Sequence, residues 1–214
     1  MNYIAVDTAS GTLKVLVKYN DKYEFFSDES FKSASEKLMV KIDEALSKLG
    51  ASLGNMDFFA CVIGPGSFTG IRIGLATVKT FAYVYKKPVL PINSLELLAS
   101  CCPADVTVAT IDASNGMRYL AVYNEKVDEI MPPKVLLSEE LDDFLSSIEE
   151  DHIVVADKVS SDSIKGAIVP TNTMEGLIRA VENNANRLCD GNLIEPIYIR
   201  KPQAVLDLEK RENK

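Results

Sequence analysis

The chain has 214 residues, 47% of them hydrophobic and 25% charged, and its formal net charge is −8 at pH 7. This length and composition indicate a folded protein with one large or two smaller domains. The acidic balance argues against a protein that binds nucleic acid by itself, because neutralising phosphates requires clustered Lys and Arg residues. Contact with nucleic acid would therefore need a partner that supplies a basic surface.

The number and positions of the histidine and cysteine residues argue against further classes of enzyme. His152 is the only histidine, so metal motifs built from paired histidines are impossible, and there is no GxSxG motif. These observations disfavour metalloprotease and serine hydrolase chemistry. The cysteines form no CxxC pair, and Cys61 lies in an apolar run, which indicates a buried reduced thiol in a reducing cytoplasm. The N-terminus lacks a basic region followed by an apolar stretch, so we expect no signal peptide. Because no run of about 20 apolar residues occurs, we also expect no membrane span.

The first half of the chain predicts an α/β unit that begins with an antiparallel meander. Its β-rich runs are residues 2–7, 12–19 and 22–27. An amphipathic helix is predicted over residues 34–49, where Ser33 and Glu36 form a capping box and Gly50 ends the helix.

A glycine-rich loop follows the next predicted strand. The strand covers residues 57–63, and the loop GPGSFTG leads into a second helix that extends to about Tyr85. A short strand over residues 88–92 and a third helix over residues 93–102 complete the unit.

The second half repeats this order of elements. Asp112 ends a β-rich run and is followed by ASNG, as Asp7 is followed by TASG. Further strands are predicted at residues 117–124, 126–131, 152–157 and 166–170, and helices at 138–149 and 174–188. Two tandem copies of one α/β unit are the economical interpretation. The predicted domains are residues 1–103 and residues 104–214, the second with a charged tail.

The duplicated order resembles the actin, sugar kinase and Hsp70 superfamily, whose halves are ribonuclease H-like units. This resemblance implies an α/β fold in which each half has a mixed five-stranded sheet with helices. Within the superfamily, AVDTAS followed by GPGSFTGIRIGLATVKTFA closely resembles the TsaB (YeaZ) family. The stretches SEKLMVKIDEAL, INSLELLA, TIDASNGMRYLAVY and PIYIR also stand where that family places them.

Some positions depart from the family pattern. Ser35 stands where the family often has a histidine, and SNGM at residues 114–117 replaces the basic and acidic residues that usually follow the second aspartate. KVSSDS replaces the expected glycine-rich turn after residues 152–157. Most of the departures lie in the second half, which weakens the case for a site there.

The resemblance implies a role in making N6-threonylcarbamoyladenosine at position 37 of tRNA. It implies a cytoplasmic scaffold and activator subunit without catalytic activity of its own, homodimeric in isolation and otherwise paired with a TsaD-like catalytic subunit that a TsaE-like ATPase joins. tRNA would be reached only through this complex, and no membrane would be involved. No cofactor is expected to bind tightly, with ATP or ADP and Mg²⁺ acting at the level of the complex.

The glycine-rich loop has three interpretations from its residues alone. Its G-x-G-x-x-x-G spacing matches neither the G-x-G-x-x-G dinucleotide motif nor a P-loop, which would also require a lysine. Ser67 or Thr69 can cap the second helix, whose amino-terminal amides suit an anion. Phosphate contact, a structural turn and a turn facing a partner all remain open.

The second helix has an unusually wide apolar surface. Arg72, Lys79 and Lys86 form one narrow polar stripe, and most other positions are apolar, so the helix must be covered from more than one side. Complete burial within the monomer and contact with another subunit are the two alternatives, and the resemblance favours the second. The predicted partner interface comprises Leu38, Met39, Ile42, Ser67, Phe68, Thr69, Gly70, Arg72, Ile73, Gly74, Ala76 and Thr77.

A catalytic alternative rests on the two aspartate turns. In the related kinases such aspartates help to bind metal and phosphate, so this chain could be an ATP-dependent small-molecule kinase that loses turnover on Asp7→Asn. The competing interpretation is that short polar residues merely close the turns. The second half leaves no room for the usual adenosine-binding insertions, which favours a non-catalytic relative. The residues predicted to lie near any nucleotide are Asp7, Thr8, Ser10, Gly64, Gly66 and Asp112.

Overall fold

The computed structural model describes residues 1–28 and 34–199. The predicted cap residue Ser33, the last residue of PIYIR and the charged tail therefore lie outside the described residues. No helix in the described part of the chain has the length and apolar character needed to cross a membrane.

A mixed five-stranded sheet forms the first half, as predicted, with the strand order β3-β2-β1-β4-β5. Its strands are β1 (Tyr3–Asp7), β2 (Leu13–Tyr19), β3 (Lys22–Asp28), β4 (Phe58–Val62) and β5 (Val89–Ile92). β1 pairs antiparallel with β2 and parallel with β4, so the meander and the crossover units share the central strand. Alternate residues of β1 enter two different cores, because this strand is buried on both faces.

Three helices follow the strands of the first half, at the predicted positions. They are α1 (Ala34–Leu49), α2 (Phe68–Tyr85) and α3 (Ser94–Cys101). Ser67 caps α2 by accepting a hydrogen bond from the Gly70 amide, and Asn93 caps α3 by accepting one from the Leu95 amide. Residues of α1 and most buried apolar residues of α2 join one core of the first sheet, and Ile71 of α2 and Leu97 of α3 join the other.

The second half has a smaller sheet than predicted, with four strands in the order β8-β7-β6-β9. The strands are β6 (Thr107–Asp112), β7 (Met117–Tyr123), β8 (Glu129–Leu137) and β9 (Ile153–Ala156). The predicted fifth strand at residues 166–170 contributes only an isolated bridge between Ile168 and Val155. Gly166 adopts a positive φ at the start of this segment, and Pro170 at its end has no amide hydrogen to extend the ladder.

The helices of the second half are short, and the last one packs elsewhere. The predicted helix at 138–149 becomes a 3₁₀ turn followed by α4 (Leu141–Ser146), and α5 (Lys158–Ser161) is a single turn. α6 (Thr173–Asn183) ends before the predicted residue 188. It buries Leu177 and Val181 in the core of the first sheet. The end of the described chain therefore returns to the first half.

Candidate functional site

Asp7 closes the turn between β1 and β2 from a fully buried position. Its Oδ1 accepts hydrogen bonds from the amides of Ala9 at 2.9 Å and Ser10 at 3.2 Å, and its Oδ2 forms an ion pair with Lys14 Nζ at 2.7 Å. The hydroxyl of Ser10 also donates to Oδ2. Because these partners surround the carboxylate, a metal ion or a phosphate could approach Asp7 only by displacing Lys14 or opening the turn.

The glycine-rich loop packs directly against this turn. The Ser67 amide donates to the Ala9 carbonyl at 2.9 Å, and the Thr8 hydroxyl donates to the Gly70 carbonyl at 2.6 Å. A Cβ atom at Gly66 would lie 2.4 Å from the Ala9 carbonyl oxygen, which leaves no space for a side chain. The loop and the aspartate turn therefore form one packed unit.

Two other glycines of this region also permit close packing between protein atoms. A Cβ at Gly74 would lie 2.5 Å from the Thr8 hydroxyl oxygen, and one at Gly64 would lie 2.9 Å from the Ile197 carbonyl oxygen. Gly64 in addition has a φ of +108°, which side chains rarely adopt. The residues predicted to lie near a nucleotide in this half, Thr8, Gly64 and Gly66 among them, thus contact other parts of the chain.

The predicted interface residues divide into an exposed and a buried group. Met39, Phe68, Thr69, Arg72 and Ala76 are exposed, and Ser67, Ile73 and Thr77 are half-buried. Leu38, Ile42, Gly70 and Gly74 are buried within the monomer. Leu38 and Ile42 belong to the core of the first sheet, because the face of α1 that carries them packs on that sheet. They can support the surface but cannot form it.

α2 leaves a long face uncovered in the monomer, which contradicts the alternative of complete burial. Tyr83 is 79% exposed and Val84 is 61% exposed near the end of the helix. We call the exposed residues of this helix the α2 face; they are Phe68, Thr69, Arg72, Ala76, Thr80, Tyr83, Val84 and Tyr85.

An aromatic and cationic cluster occupies the start of the α2 face. The Arg72 guanidinium lies 3.8 Å from the centroid of the Phe68 ring, and its Nε donates to the Tyr198 hydroxyl at 3.2 Å. The rings of Phe68 and Tyr198 are 5.5 Å apart. Such contacts hold three partly exposed side chains in one arrangement before any partner binds. Tyr198 was missed by sequence reasoning, and its distance along the chain from Arg72 leaves no local signal.

The second aspartate turn has a different environment. Asp112 is half-buried and lies opposite Arg118 in the antiparallel register. The Arg118 side chain is buried, and its Nη2 donates to the Ser163 hydroxyl at 2.5 Å. Its Nε and Nη1 have no hydrogen-bond partner among the described residues. The two turns therefore share an aspartate and a following cation but not the contact between them.

Two surface cavities lie away from both aspartate turns. One, of about 680 Å³, lies between the end of α2 and residues 189–192, and the other, of about 510 Å³, lies between the two halves. Neither is lined by Asp7 or Asp112. Within residues 1–28 and 34–199, no group of three or more His, Cys, Asp or Glu side chains is arranged to hold a metal ion.

The cysteines are free thiols, as the sequence predicts. Cys61 is fully buried in the first sheet, and this burial raises the pKa of its thiol, with a further contribution from the nearby Asp7 carboxylate. A thiol that remains protonated and buried is unreactive.

Comparison with known proteins agrees with the resemblance. A family model described as "TsaD: tRNA N6-adenosine threonylcarbamoyltransferase" matches residues 28–152, more than half of the chain. The "tRNA threonylcarbamoyladenosine biosynthesis protein TsaB" of Haemophilus influenzae is 30% identical over 132 residues, which cover 59% of this chain and 56% of that protein. The chain belongs to the family that this TsaD model describes, and within it the chain is similar to TsaB. The match thus spans little more than half the length of this curated relative.

Two further comparisons, one with a curated protein and one with a solved structure, show how much of the chain is similar to each. The "tRNA N6-adenosine threonylcarbamoyltransferase" of Methylorubrum extorquens is 46% identical, but only over 55 residues, which cover 26% of this chain and 16% of that protein. The solved structure of YeaZ from Pseudomonas aeruginosa is 20% identical with a TM-score of 0.77, covering 92% of this chain and 99% of that one. This structural match shows that the chain has the same α/β fold as that protein over nearly its whole length.

Proposed function

We propose that this TsaB-like chain is a scaffold and activator subunit for the synthesis of N6-threonylcarbamoyladenosine at position 37 of tRNA. It pairs with a TsaD-like catalytic subunit, and a TsaE-like ATPase joins that pair. In isolation the chain forms a homodimer through the surface that otherwise binds the TsaD-like subunit. tRNA is reached through the complex, in the cytoplasm, and nucleotide and Mg²⁺ act at the level of the complex.

The single observation that carries this proposal is the uncovered α2 face. Exposed aromatic and arginine side chains dominate the binding energy of protein interfaces when a partner excludes water from them. This face places Phe68 and Arg72 at one end, Ala76 in the middle and Tyr83 at the other end. Exposed Met39, which is 47% accessible on α1, is the remaining predicted interface residue with an accessible apolar side chain.

The environment of Asp7 favours a scaffold over a kinase. A kinase needs its aspartate available to metal and phosphate during turnover, whereas Asp7 is buried and paired with Lys14 at 2.7 Å. This ion pair and the packed loop give the turn a structural role, namely to hold the start of α2 in place. The membership of the chain in a family concerned with threonylcarbamoyladenosine supports the partner class.

The test compares two arginine substitutions by light scattering and calorimetry, with the chain alone and with its TsaD-like partner. Ala76→Arg places a charge on the α2 face, and Val159→Arg is the matched control, because Val159 is 71% exposed on α5. We expect Ala76→Arg to weaken both the homodimer and the mixed complex at least about 30-fold, while Val159→Arg binds like the unchanged protein.

A reconstituted reaction separates the scaffold from the kinase. The chain alone should transfer no threonylcarbamoyl group to tRNA, and the mixture with TsaD-like and TsaE-like proteins should lose activity with Ala76→Arg. Transfer by the chain alone would contradict the proposal. ATP turnover by the chain alone that is abolished in an Asp7→Asn variant shown by circular dichroism to be still folded would establish the kinase instead.

A further inference from the structure

A groove of about 680 Å³ lies beside the C-terminal end of α2. One wall is the last part of this helix, and the other is formed by residues 189–192. Backbone hydrogen bonds in both directions join Cys189 to Val89 of β5, and a Cβ atom at Gly191 would lie 3.3 Å from Ala82 Cβ on α2. Both walls are therefore held in place within the monomer. We call this the lysine groove, because its lining includes Lys79, Lys86 and Lys87.

The three lysines of this groove differ in their pairing from other lysines of the first half. Five of those others each form an ion pair with a carboxylate, namely Lys14, Lys18, Lys37, Lys41 and Lys48. No ion pair joins Lys79, Lys86 or Lys87 to a carboxylate among residues 1–28 and 34–199. Asp190, which also lines the groove, accepts a hydrogen bond from the Asn192 amide at 2.9 Å instead. The lining thus carries three positive charges and one negative charge, on a chain whose net charge is −8.

Lys86 occupies a backbone position that suits glycine. It follows the last residue of α2 with a φ of 52° and a ψ of 48°, the left-handed conformation in which a Cβ atom is strained. A cation at this end of a helix gains some energy from the helix dipole, but Lys87 also supplies one, and Lys79 lies nearly two turns earlier, where the dipole has little effect. The stability of the helix therefore does not explain the three lysines.

Apolar side chains beside the lysines indicate what kind of anion the groove receives. Tyr83 lies four residues after Lys79 and three before Lys86, so its 79% exposed side chain stands on the same side of α2 as both lysines. Val84, which is 61% exposed, and Pro88 add further apolar surface. A nucleic acid would be repelled by a chain with a net charge of −8. A polypeptide segment that carries both carboxylates and apolar side chains complements the charge and the apolar surface.

The charges of α2 also distinguish between a second copy and a different subunit. α2 contains Arg72 and Lys79, and its sequence has no Asp or Glu. In a two-fold pair the same patch lies on both sides of the interface, so a second copy that meets α2 with its own α2 places like charges near each other. We propose that the lysine groove binds an acidic, partly apolar segment of the different subunit that covers the α2 face. This inference rests on the proposed function and adds the chemistry that the partner must present.

The position of the groove gives the partner a direction along α2. The cluster of Phe68, Arg72 and Tyr198 lies at the start of the α2 face, and Lys86 follows Arg72 by 14 residues, which span about 21 Å in a helix. One end of the face thus presents aromatic rings and a guanidinium group, and the other presents ammonium groups. A subunit with its acidic segment at one end of its own contact surface fits this face in only one direction.

The experiment measures the mixed complex with the TsaD-like subunit by calorimetry and the homodimer by light scattering. The variant carries both Lys79→Glu and Lys86→Glu, and the control carries Lys126→Glu and Lys165→Glu, two exposed lysines outside the groove, so that both have the same net charge. We expect the groove variant to weaken the mixed complex at least about 10-fold in about 50 mM salt and much less in about 500 mM salt. The homodimer should be as tight as before or tighter, because like charges are removed, and the control should behave as the unchanged protein.

The outcomes separate this inference from the proposed function. Unchanged affinity in the groove variant, while Ala76→Arg still weakens the mixed complex, would overturn the lysine groove and leave the proposed function standing. Failure of the unchanged chain to bind the TsaD-like subunit would overturn both. A homodimer weakened as much as the mixed complex would assign the acidic segment to a second copy. Binding of a short oligoadenylate to the chain that is lost in the groove variant would assign the groove to nucleic acid.

The variant Lys86→Gly should have effects of opposite sign on stability and binding. It should melt about 1–3 °C higher, because glycine adopts the left-handed conformation without strain. The mixed complex should weaken about 2- to 5-fold, since one of the groove's positive charges is lost. Lys86→Arg is the matched control, because it keeps the charge and the strained backbone, and it should change neither quantity. A Lys86→Gly variant that binds the TsaD-like subunit as tightly as Lys86→Arg would overturn the role of this charge.

Discussion

The two aspartate turns begin alike in sequence and end in different physical states. In the first half, Asp7 is fully buried and paired with Lys14, and the turn packs against the glycine-rich loop. In the second half, Asp112 is half-buried, and the cation opposite it, Arg118, donates to Ser163 instead.

The difference between the turns follows from what packs against them. The first turn packs against the start of α2, which has 18 residues. The two segments can approach closely because Gly66 and Gly74 have no side chain that would separate them. Beside the second turn, Arg118 contacts Ser163 just after the short α5, which has 4 residues, and a Cβ atom at Gly116 would meet no other atom within 4 Å. In this protein the aspartate turn that packs against the start of the long α2 is the fully buried one, and it supports the start of the α2 face.

Substitution of the two aspartates should give the largest difference in the free energy of unfolding between the two turns. Asp7→Asn leaves the Lys14 charge buried without its partner, and we expect a loss of about 3–5 kcal/mol in the free energy of unfolding. Asp112→Asn affects a half-exposed group and should cost less than about 1 kcal/mol. Urea unfolding followed by circular dichroism measures both. Equal losses would show that the buried ion pair is not what distinguishes the first turn.

Glycine substitutions should give the next largest difference. Gly66→Ala places a methyl group 2.4 Å from the backbone oxygen of Ala9, and we expect it to cost about 2–3 kcal/mol. Gly116→Ala meets no atom within 4 Å and bears only the strain of its φ of +71°, or about 1 kcal/mol. The measurement is again urea unfolding of matched samples. A Gly116 variant as unstable as the Gly66 variant would contradict a packing role specific to the first half.

A smaller effect should test how far the first half depends on the end of the chain. Glu182 of α6 accepts hydrogen bonds from Tyr3, Lys18 and Tyr23 of the first sheet. Burial alone would raise the pKa of Glu182, but the hydrogen bond from Lys18, followed by those from the tyrosines, lowers it below 4.5. Glu182→Gln should cost about 1–2 kcal/mol at pH 7.

The pH dependence of this effect has a definite sign. Because the folded pKa of Glu182 is depressed, its stabilisation is present above pH 4.5 and is lost as the pH falls through the folded value. The difference between the unchanged protein and Glu182→Gln should therefore shrink on acidification. Glu175→Gln, on the same helix with a 62% exposed side chain, is the control and should stay within about 0.5 kcal/mol. A constant difference across this pH range would argue against the hydrogen-bonded carboxylate as the cause.

Long periodic segments with clear end signals were predictable from the sequence. α1 covers the predicted residues 34–49, and α2 ends at Tyr85, because amphipathic periodicity and capping are local properties. The failures are short or edge elements: residues 166–170 form one bridge, and residues 138–149 form a turn and a six-residue helix. Their formation depends on neighbouring elements that periodicity does not describe.

The candidate site was predictable only in part. Part of the predicted interface is exposed, and its contact with a partner stays a prediction. Leu38 and Ile42 are core residues, because an apolar side chain on a helix gives the same sequence pattern whether it packs on the sheet or on a partner. The ion pair of Lys14 with Asp7 has a sequence signal that was missed, because the two residues face each other across the hairpin register. The contact of Arg72 with Tyr198 has none, since 126 residues separate them.

The sequence by itself determined the helices α1 and α2 and the glycine-rich loop before α2, and it indicated the family, since periodicity and motifs are carried by residues close together in the chain. Only the tertiary structure decided that Asp7 is buried and paired with Lys14, that α6 packs in the core of the first sheet and that one face of α2 stays exposed. These properties depend on which distant surfaces exclude water from one another. Burial of that kind is a property of the packed molecule as a whole.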